Sequence, residues 1–254
     1  ATGKNFVVIN TNDSGPGSLR QAIDNANAVI TTGDTITFNI TNAGPKIIAL
    51  ASPLPVIADT LSIDAFTQPG ASPNTLTNGH NAALLVRLDG ASAGAGADGF
   101  HVSGTGCLIR GLAITRFNGD GVKFTAGVTN RLEGCYIGLD LDGATVLGNG
   151  SNGVEIVTNA TGTVIGGITP AARCIISGNN RGVYIAGATS NFVQGCRIGT
   201  DAGGALARGN TNSGVFVSGA TARFNTLGDT TSGGRNVISG NGVGATTEGH
   251  GVTL

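Results

Sequence analysis

Two aspartates sixty-one residues apart, Asp140 and Asp201, close matching phrases: Gly134-Cys-Tyr-Ile-Gly-Leu-Asp and Gly195-Cys-Arg-Ile-Gly-Thr-Asp. Two carboxylates held at a fixed separation can act as general acid and general base on a glycosidic bond. If the repeat spans two stacked coils at ~4.8 Å each, they lie roughly 9.6 Å apart, at the edge of the ~6.5–9.5 Å range of inverting glycosidases. Arg131 and Arg197 lie near the two acids in sequence, and a lyase acting on an acidic polymer needs such a basic group. The competing reading makes both acids turn residues whose carboxylates accept backbone N–H groups. With Asp142 they are also candidate Ca²⁺ ligands, but Ca²⁺ takes about six to eight oxygens, and no Asp-x-Asp-x-Asp run supplies them. His80, His101 and His250 share no spacing with a nucleophile. No catalytic set, metal or cofactor is therefore expected.

The elements that would position these residues are repeats. The offset of Asp140 and Asp201 also holds for Gly121 and Gly182, Cys135 and Cys196, and Gly153 and Gly214. Within each block a Gly-Val-x-(apolar) start recurs at Gly121, Gly153, Gly182, Gly214 and Gly251, with a variant at Gly99. A second apolar run follows each start, and a third ends in Gly-Asn, giving three short strands per unit with turn residues at the corners. Alternation of period two places Val122 and Phe124 inward and Lys123 outward. A unit this small cannot bury its apolar face alone, and stacking closes a continuous core. Crossovers between parallel strands are right-handed. The expected fold is all-β, a right-handed parallel β-helix with three strands per coil, forming one domain over residues 1–254. Residues 1–32 supply a first strand and a short helix, 33–98 irregular coils with a surface excursion around Thr67–His80, and 99–254 regular coils.

The same alignment sorts the side chains by role. One outward row reads His101, Lys123, Glu155, Tyr184, Phe216, Thr253, and a second holds Ala113, Tyr136 and Arg197. Tyr184 and Phe216, with Tyr136 and Arg197, are the candidate ligand-binding residues, because aromatic groups on a solvated sheet suit a sugar face or another chain. Asn118, Asn149, Asn179, Asn210 and Asn241 recur at one corner, where stacked amides can hydrogen-bond along the axis. Cys135 and Cys196 point inward two coils apart, too far for a disulfide, and read as buried thiols. Cys107 and Cys174 fall at other corners. Ser18 and Gln21 form a capping-box signature, and Leu19, Ala22, Ile23 and Ala26 one apolar stripe suited to covering the end of the core, leaving Arg20, Asp24 and Asn27 to solvent.

Composition narrows the function classes. The chain has 44 glycines, 11% charged residues and a net charge of −1 over 254 residues, so no basic stripe for nucleic acid is expected. No apolar run is long enough to span a membrane.

Asp13-Ser-Gly-Pro-Gly-Ser-Leu-Arg-Gln-Ala-Ile, Gly33-Asp-Thr-Ile-Thr-Phe, Thr67-Gln-Pro-Gly and the Gly-Cys-x-Ile-Gly-x-Asp and Ile-Ser-Gly-Asn repeats resemble bacterial secreted and cell-surface right-handed parallel β-helix repeat proteins. The resemblance covers nearly the whole chain. It implies an extracellular module, commonly part of a longer polypeptide, in a fold shared with pectate lyases and polygalacturonases. Fold does not carry function. The expectation is a non-catalytic stalk, adhesin segment or assembly subunit, with a polysaccharide lyase or hydrolase as the alternative. Its partners would be polysaccharide and, at Gly251-Val-Thr-Leu, further coils or another chain.

Overall fold

The computed structural model describes residues 3–28, 33–244 and 249–254; residues 29–32 of the N-terminal segment lie outside them. Short strands fall into three parallel sheets of eight, seven and six strands; from Phe100 onward each coil contributes one strand to each, and the earlier coils supply only the first two. Sheet 1 runs from Asn5–Val8 to Thr226–Leu227, sheet 2 from Lys46–Ala49 to Val237–Ile238, and sheet 3 from Phe100–Val102 to Val252–Thr253. All eighteen strand pairings among the described residues are parallel. This is a parallel β-helix. Its interior is one apolar cluster extending from Val8 to Val215, built from the inward member of each alternating pair.

The second apolar run of several coils is two strands. Leu108–Arg110 lies in sheet 1 and Leu112–Thr115 in sheet 2, and the chain turns between them at Gly111 with φ 78°. Gly134 (φ 59°) and Gly195 (φ 63°) make the same corner one and three coils on, a backbone region that glycine enters without steric cost. Because one residue turns that corner, Thr145–Leu147 and Ala207–Arg208 are not sheet strands as the sequence pattern suggests. They are the return limbs of loops closed by the bridges Leu139–Val146 and Thr200–Ala207.

The Gly-Val starts have a different cause. A Cβ on Gly182 would sit 2.3 Å from the carbonyl oxygen of Gly214 and 2.6 Å from Ile198 Cγ2, and Gly121, Gly153 and Gly214 are as tightly enclosed. The coil above occupies the space that any side chain would need.

Amides stack at the corner that leads into sheet 3. The Asn149, Asn179 and Asn210 backbone N–H groups donate to the side-chain oxygens of Asn179, Asn210 and Asn241 at 3.0, 3.0 and 3.2 Å, and their side-chain nitrogens donate to the same oxygens. Phe117, not Asn118, stands at the head of this column, donating its N–H to Asn149. Asn118 instead accepts from Gly96 N–H, because it sits one residue past the corner. A second column leads into sheet 1 through Asn191 and Asn225. It is interrupted at Thr163, whose N–H reaches Asn191 but whose buried hydroxyl has no partner.

Cysteines form a third column. Tyr136 pairs with Ile175 and Ile175 with Arg197, so the preceding residues Cys135, Cys174 and Cys196 stack one per coil. Cys174 therefore shares their corner, contrary to the sequence reading; Cys107 does not. All four thiols are free and buried.

Ser18 caps the helix Leu19–Asn27, its Oγ accepting from Gln21 N–H at 3.2 Å, while the Gln21 side chain donates to Asn25. Leu19, Ala22, Ile23 and Ala26 enter the main core. Arg20 and Asn27 are not left to solvent: Arg20 donates to the carbonyls of Ser52 and Pro53, and Asn27 to that of Val56, which ties the loop after sheet 2 to the helix.

Two substitutions check this account by thermal unfolding. Thr163→Asn restores an amide to the second column and is expected to raise stability by about 1 kcal/mol, a few degrees in Tm. Gly182→Ala is expected to lower it by about 1–3 kcal/mol through overpacking. A Tm unchanged in Gly182→Ala would mean that the coils are not in van der Waals contact there.

Candidate functional site

Register pairings place His101, Lys123, Glu155, Tyr184, Phe216 and Thr253 on consecutive coils along the outer face of sheet 3. The row divides in two. Its first half is charged: Lys123 Nζ lies 2.5 Å from Glu155 and 3.5 Å from Asp120, and His101 lies 4.0 Å from Asp98 and 2.9 Å from Thr125. Burial raises the Asp98 and Glu155 carboxyls above their ordinary values; the neighbouring Asp120 adds to this at Glu155, while at Asp98 its N–H bond opposes the shift and its charge favours it. Lys123 is held above its ordinary value by its acidic neighbours despite its own burial.

The second half is aromatic. Tyr184 and Phe216 stack with ring centroids 5.2 Å apart and planes at 30°. The Arg181 guanidinium lies 4.8 Å from the centre of Phe216 and 5.4 Å from that of Tyr184, within cation–π range. The Tyr184 hydroxyl is 3.0 Å from Ser218 Oγ, leaving both rings half-exposed. Arg181 was not among the sequence candidates. Its signal was its place immediately before a Gly-Val start, from which a long side chain reaches along the strand.

Tyr136 and Arg197 do not join this face. Both lie on the outer face of sheet 2, as the alternation indicates, but they are only 2% and 8% exposed. The excursion around Thr67–His80 folds over them, so neither lies on an open sheet face. A satellite cluster of Leu84, Ala113, Tyr136, Leu139, Ile175 and Ala202 seals the contact. Buried Asn74 donates to the Pro170 carbonyl, and Arg173 donates to the carbonyls of Leu76, Thr77 and Gly79. Tyr136 OH meets His80 Nδ1 at 3.1 Å.

All three candidate acids are already engaged, Asp140 by a sheet 2 arginine and the other two within their own loops. Asp140 pairs with Arg87 at 2.6 Å. Asp142 accepts from Ala144 and Thr145, and Asp201 from the N–H groups of Ala205 and Leu206. Burial alone would raise the Asp142 and Asp201 carboxyls, but these hydrogen bonds outweigh it and hold both below their ordinary values. A lowered pKa suits a turn-capping carboxylate and opposes the role of general acid. The two loops stack directly, Ala202 N–H donating to Gly143 O at 2.8 Å. Among the described residues no group of three or more His, Cys, Asp or Glu side chains is placed to hold a metal ion.

Opposite shifts imply opposite pH responses. Asp201, lowered on folding, stabilises the native state above its unfolded pKa, and that contribution is lost as pH falls through the folded value. Asp98, raised on folding, costs stability once pH exceeds its unfolded pKa. Asp201→Ala is therefore expected to lower Tm at pH 7 by a modest amount, about 1 kcal/mol or less for so solvated a group, with the difference shrinking in acid. Asp98→Asn is expected to raise Tm at pH 7 and to leave it unchanged in acid. Melting curves between pH 2 and pH 8 check both signs.

No family model matches this chain, and no curated protein matches it. No helix among the described residues is long and apolar enough to cross a membrane. Among solved structures the Dettilon tailspike protein is similar at 14% identity and a TM-score of 0.35, the match covering 89% of this chain and 46% of that one. The chain thus spans less than half the length of that protein, and the fold stands on its own strand pairings.

Proposed function

We propose that this chain is a non-catalytic extracellular module, a rigid stalk or adhesin segment whose sheet 3 face binds polysaccharide. The observation that supports this reading is the Tyr184–Phe216 ledge with the Arg181 guanidinium over both rings. Stacked rings on a rigid sheet meet the apolar face of a sugar without losing side-chain freedom on binding, and Ser218, Glu155 and Lys123 surround the rings with polar groups for its hydroxyls. The extracellular setting comes from the sequence resemblance. Association through the last coil belongs to the same proposal. Val252 and Leu254 are 42% and 91% exposed, an apolar edge that a second chain would cover. Sedimentation over a wide concentration range is expected to show self-association of the isolated chain.

Glycan-array binding of the parent and of a Tyr184→Ala/Phe216→Ala double variant tests the sugar site. The expected result is a defined set of bound glycans and at least a tenfold loss in the double variant, since each 1.4 kcal/mol is a factor of ten. Equal binding by both proteins would move the site elsewhere. Polysaccharide turnover abolished by Asp201→Asn would replace the binding reading with an enzymatic one.

A further inference from the structure

Beneath the excursion lies a cavity of about 270 Å³ whose lining includes Arg173, Arg197, Arg235, Asn78, Ser232 and Asn236. Three guanidinium groups meet there for a reason set by the coil register. Ile175, Arg197 and Val237 are paired neighbours in sheet 2, so the residues two places earlier, Arg173, Gly195 and Arg235, stack in one column. Gly195 has no side chain, and the backbone forbids one: a Cβ there would lie 2.2 Å from the Gly167 carbonyl oxygen. The column therefore has a gap between two arginines, and Arg197 reaches the same space from the adjacent outward position.

These charges are unbalanced. Among the described residues no carboxylate lies within ion-pair distance of Arg173, Arg197 or Arg235. Arg173 and Arg197 are 9% and 8% exposed, where an uncompensated ion is costly. Arg173 spends three N–H bonds on excursion carbonyls, and Arg197 one on the Ala202 carbonyl. Asp201, the acid that acts on Arg197, has its carboxylate committed to its own turn. The positive potential extends beyond the cavity lining. Burial first, then Arg197 and Arg173, pull the His80 imidazole down to about 4. Burial, reinforced by Arg197, likewise lowers Arg173.

We propose that this cavity is a binding site for a small oxyanion, a sulfate, phosphate or carboxylate group, gripped by Arg173, Arg197 and Arg235. Guanidinium forks match the geometry of such groups and form their strongest hydrogen bonds with them. Ser232 and Asn78 supply neutral polar groups at the rim, and the volume admits one such group with part of its carrier. The site lies on a different sheet from the aromatic ledge and does not depend on it.

The test is a titration of the intact chain with sodium sulfate, inorganic phosphate and galacturonate, each at constant ionic strength balanced with chloride. Thermal stability and the His80 imidazole resonance are followed together. At least one of the three anions is expected to saturate, to raise Tm with the logarithm of its concentration, and to move the His80 pKa upward from about 4 as the arginine charges are neutralised. Saturation by sulfate or phosphate identifies a tetrahedral ester group as the natural form, and saturation by galacturonate alone identifies a sugar acid. Arg235→Gln is the clean variant, because Arg235 is exposed and makes no hydrogen bond or ion pair with the described residues: its unliganded Tm should match the parent while its apparent Kd rises tenfold or more. Arg197→Gln should abolish saturation. A response linear in concentration for all three anions, or an Arg235→Gln protein that titrates like the parent, would overturn the site.

Discussion

An asparagine amide offers two N–H donors and two acceptor lone pairs, and burying it is costly unless all are used. At the corner leading into sheet 3 they are all used by repetition. The Asn179 oxygen accepts from both nitrogens of Asn149, and its own amide group donates to Asn210 and to the Ile137 carbonyl. Each bond needs the same residue at the same place one coil away. A shift of one residue in any coil would break the bonds above and below together and would turn inward side chains outward. Register is thereby fixed along the axis, and the rest of the molecule inherits it: the cysteine column, the enclosed glycines and the outward rows are correct only if every coil is in phase.

Locked register divides the side chains between scaffold and surface. The inward rows and corners are committed to packing, so the outward rows and the loops between sheets are left to meet anything else. Which outward row stays open is decided by the loops. Arg173 and Asn74 fasten the excursion across sheet 2, converting an outward row into a second buried layer around Tyr136. The Tyr184–Phe216 portion of sheet 3 keeps its half-exposed rings.

The fold was legible because its determinants are local and repeated: period-two alternation, glycine where the coil above leaves no room, asparagine where a corner amide can be satisfied. The outward row of sheet 3 could be written residue by residue from the Gly-Val starts. Tyr136 and Arg197 were placed on the correct face and given the wrong environment, because their burial depends on a loop more than fifty residues earlier whose docking leaves no periodic trace. The third strand of several coils was misplaced for a related reason. Gly134 and Gly195 turn a corner in one residue, and an apolar run that continues through a glycine looks like a single strand. Arg173 and Arg235 did leave a signal, in the matching segments Arg173-Cys-Ile-Ile-Ser-Gly-Asn and Arg235-Asn-Val-Ile-Ser-Gly-Asn. Its meaning needed the intervening Gly195, which is visible only once the coils are stacked.

The charged part of sheet 3 and the later coils of sheet 2 treat charge in opposite ways; earlier on sheet 2, Arg87 is paired with Asp89 and Asp140. On sheet 3, Lys123 sits between Asp120 and Glu155, and each charge has a neighbour of opposite sign. On sheet 2, two arginines are more than nine-tenths buried and are met by carbonyl dipoles instead of carboxylates. Fastening a loop does not require that arrangement, since a neutral donor such as Asn74 performs the same task a few residues away. Carbonyl oxygens solvate a guanidinium without cancelling its charge, so positive potential persists in the cavity and is felt at His80. An arrangement that carries this desolvation cost in a chain otherwise poor in charge is most economically explained by something that completes it.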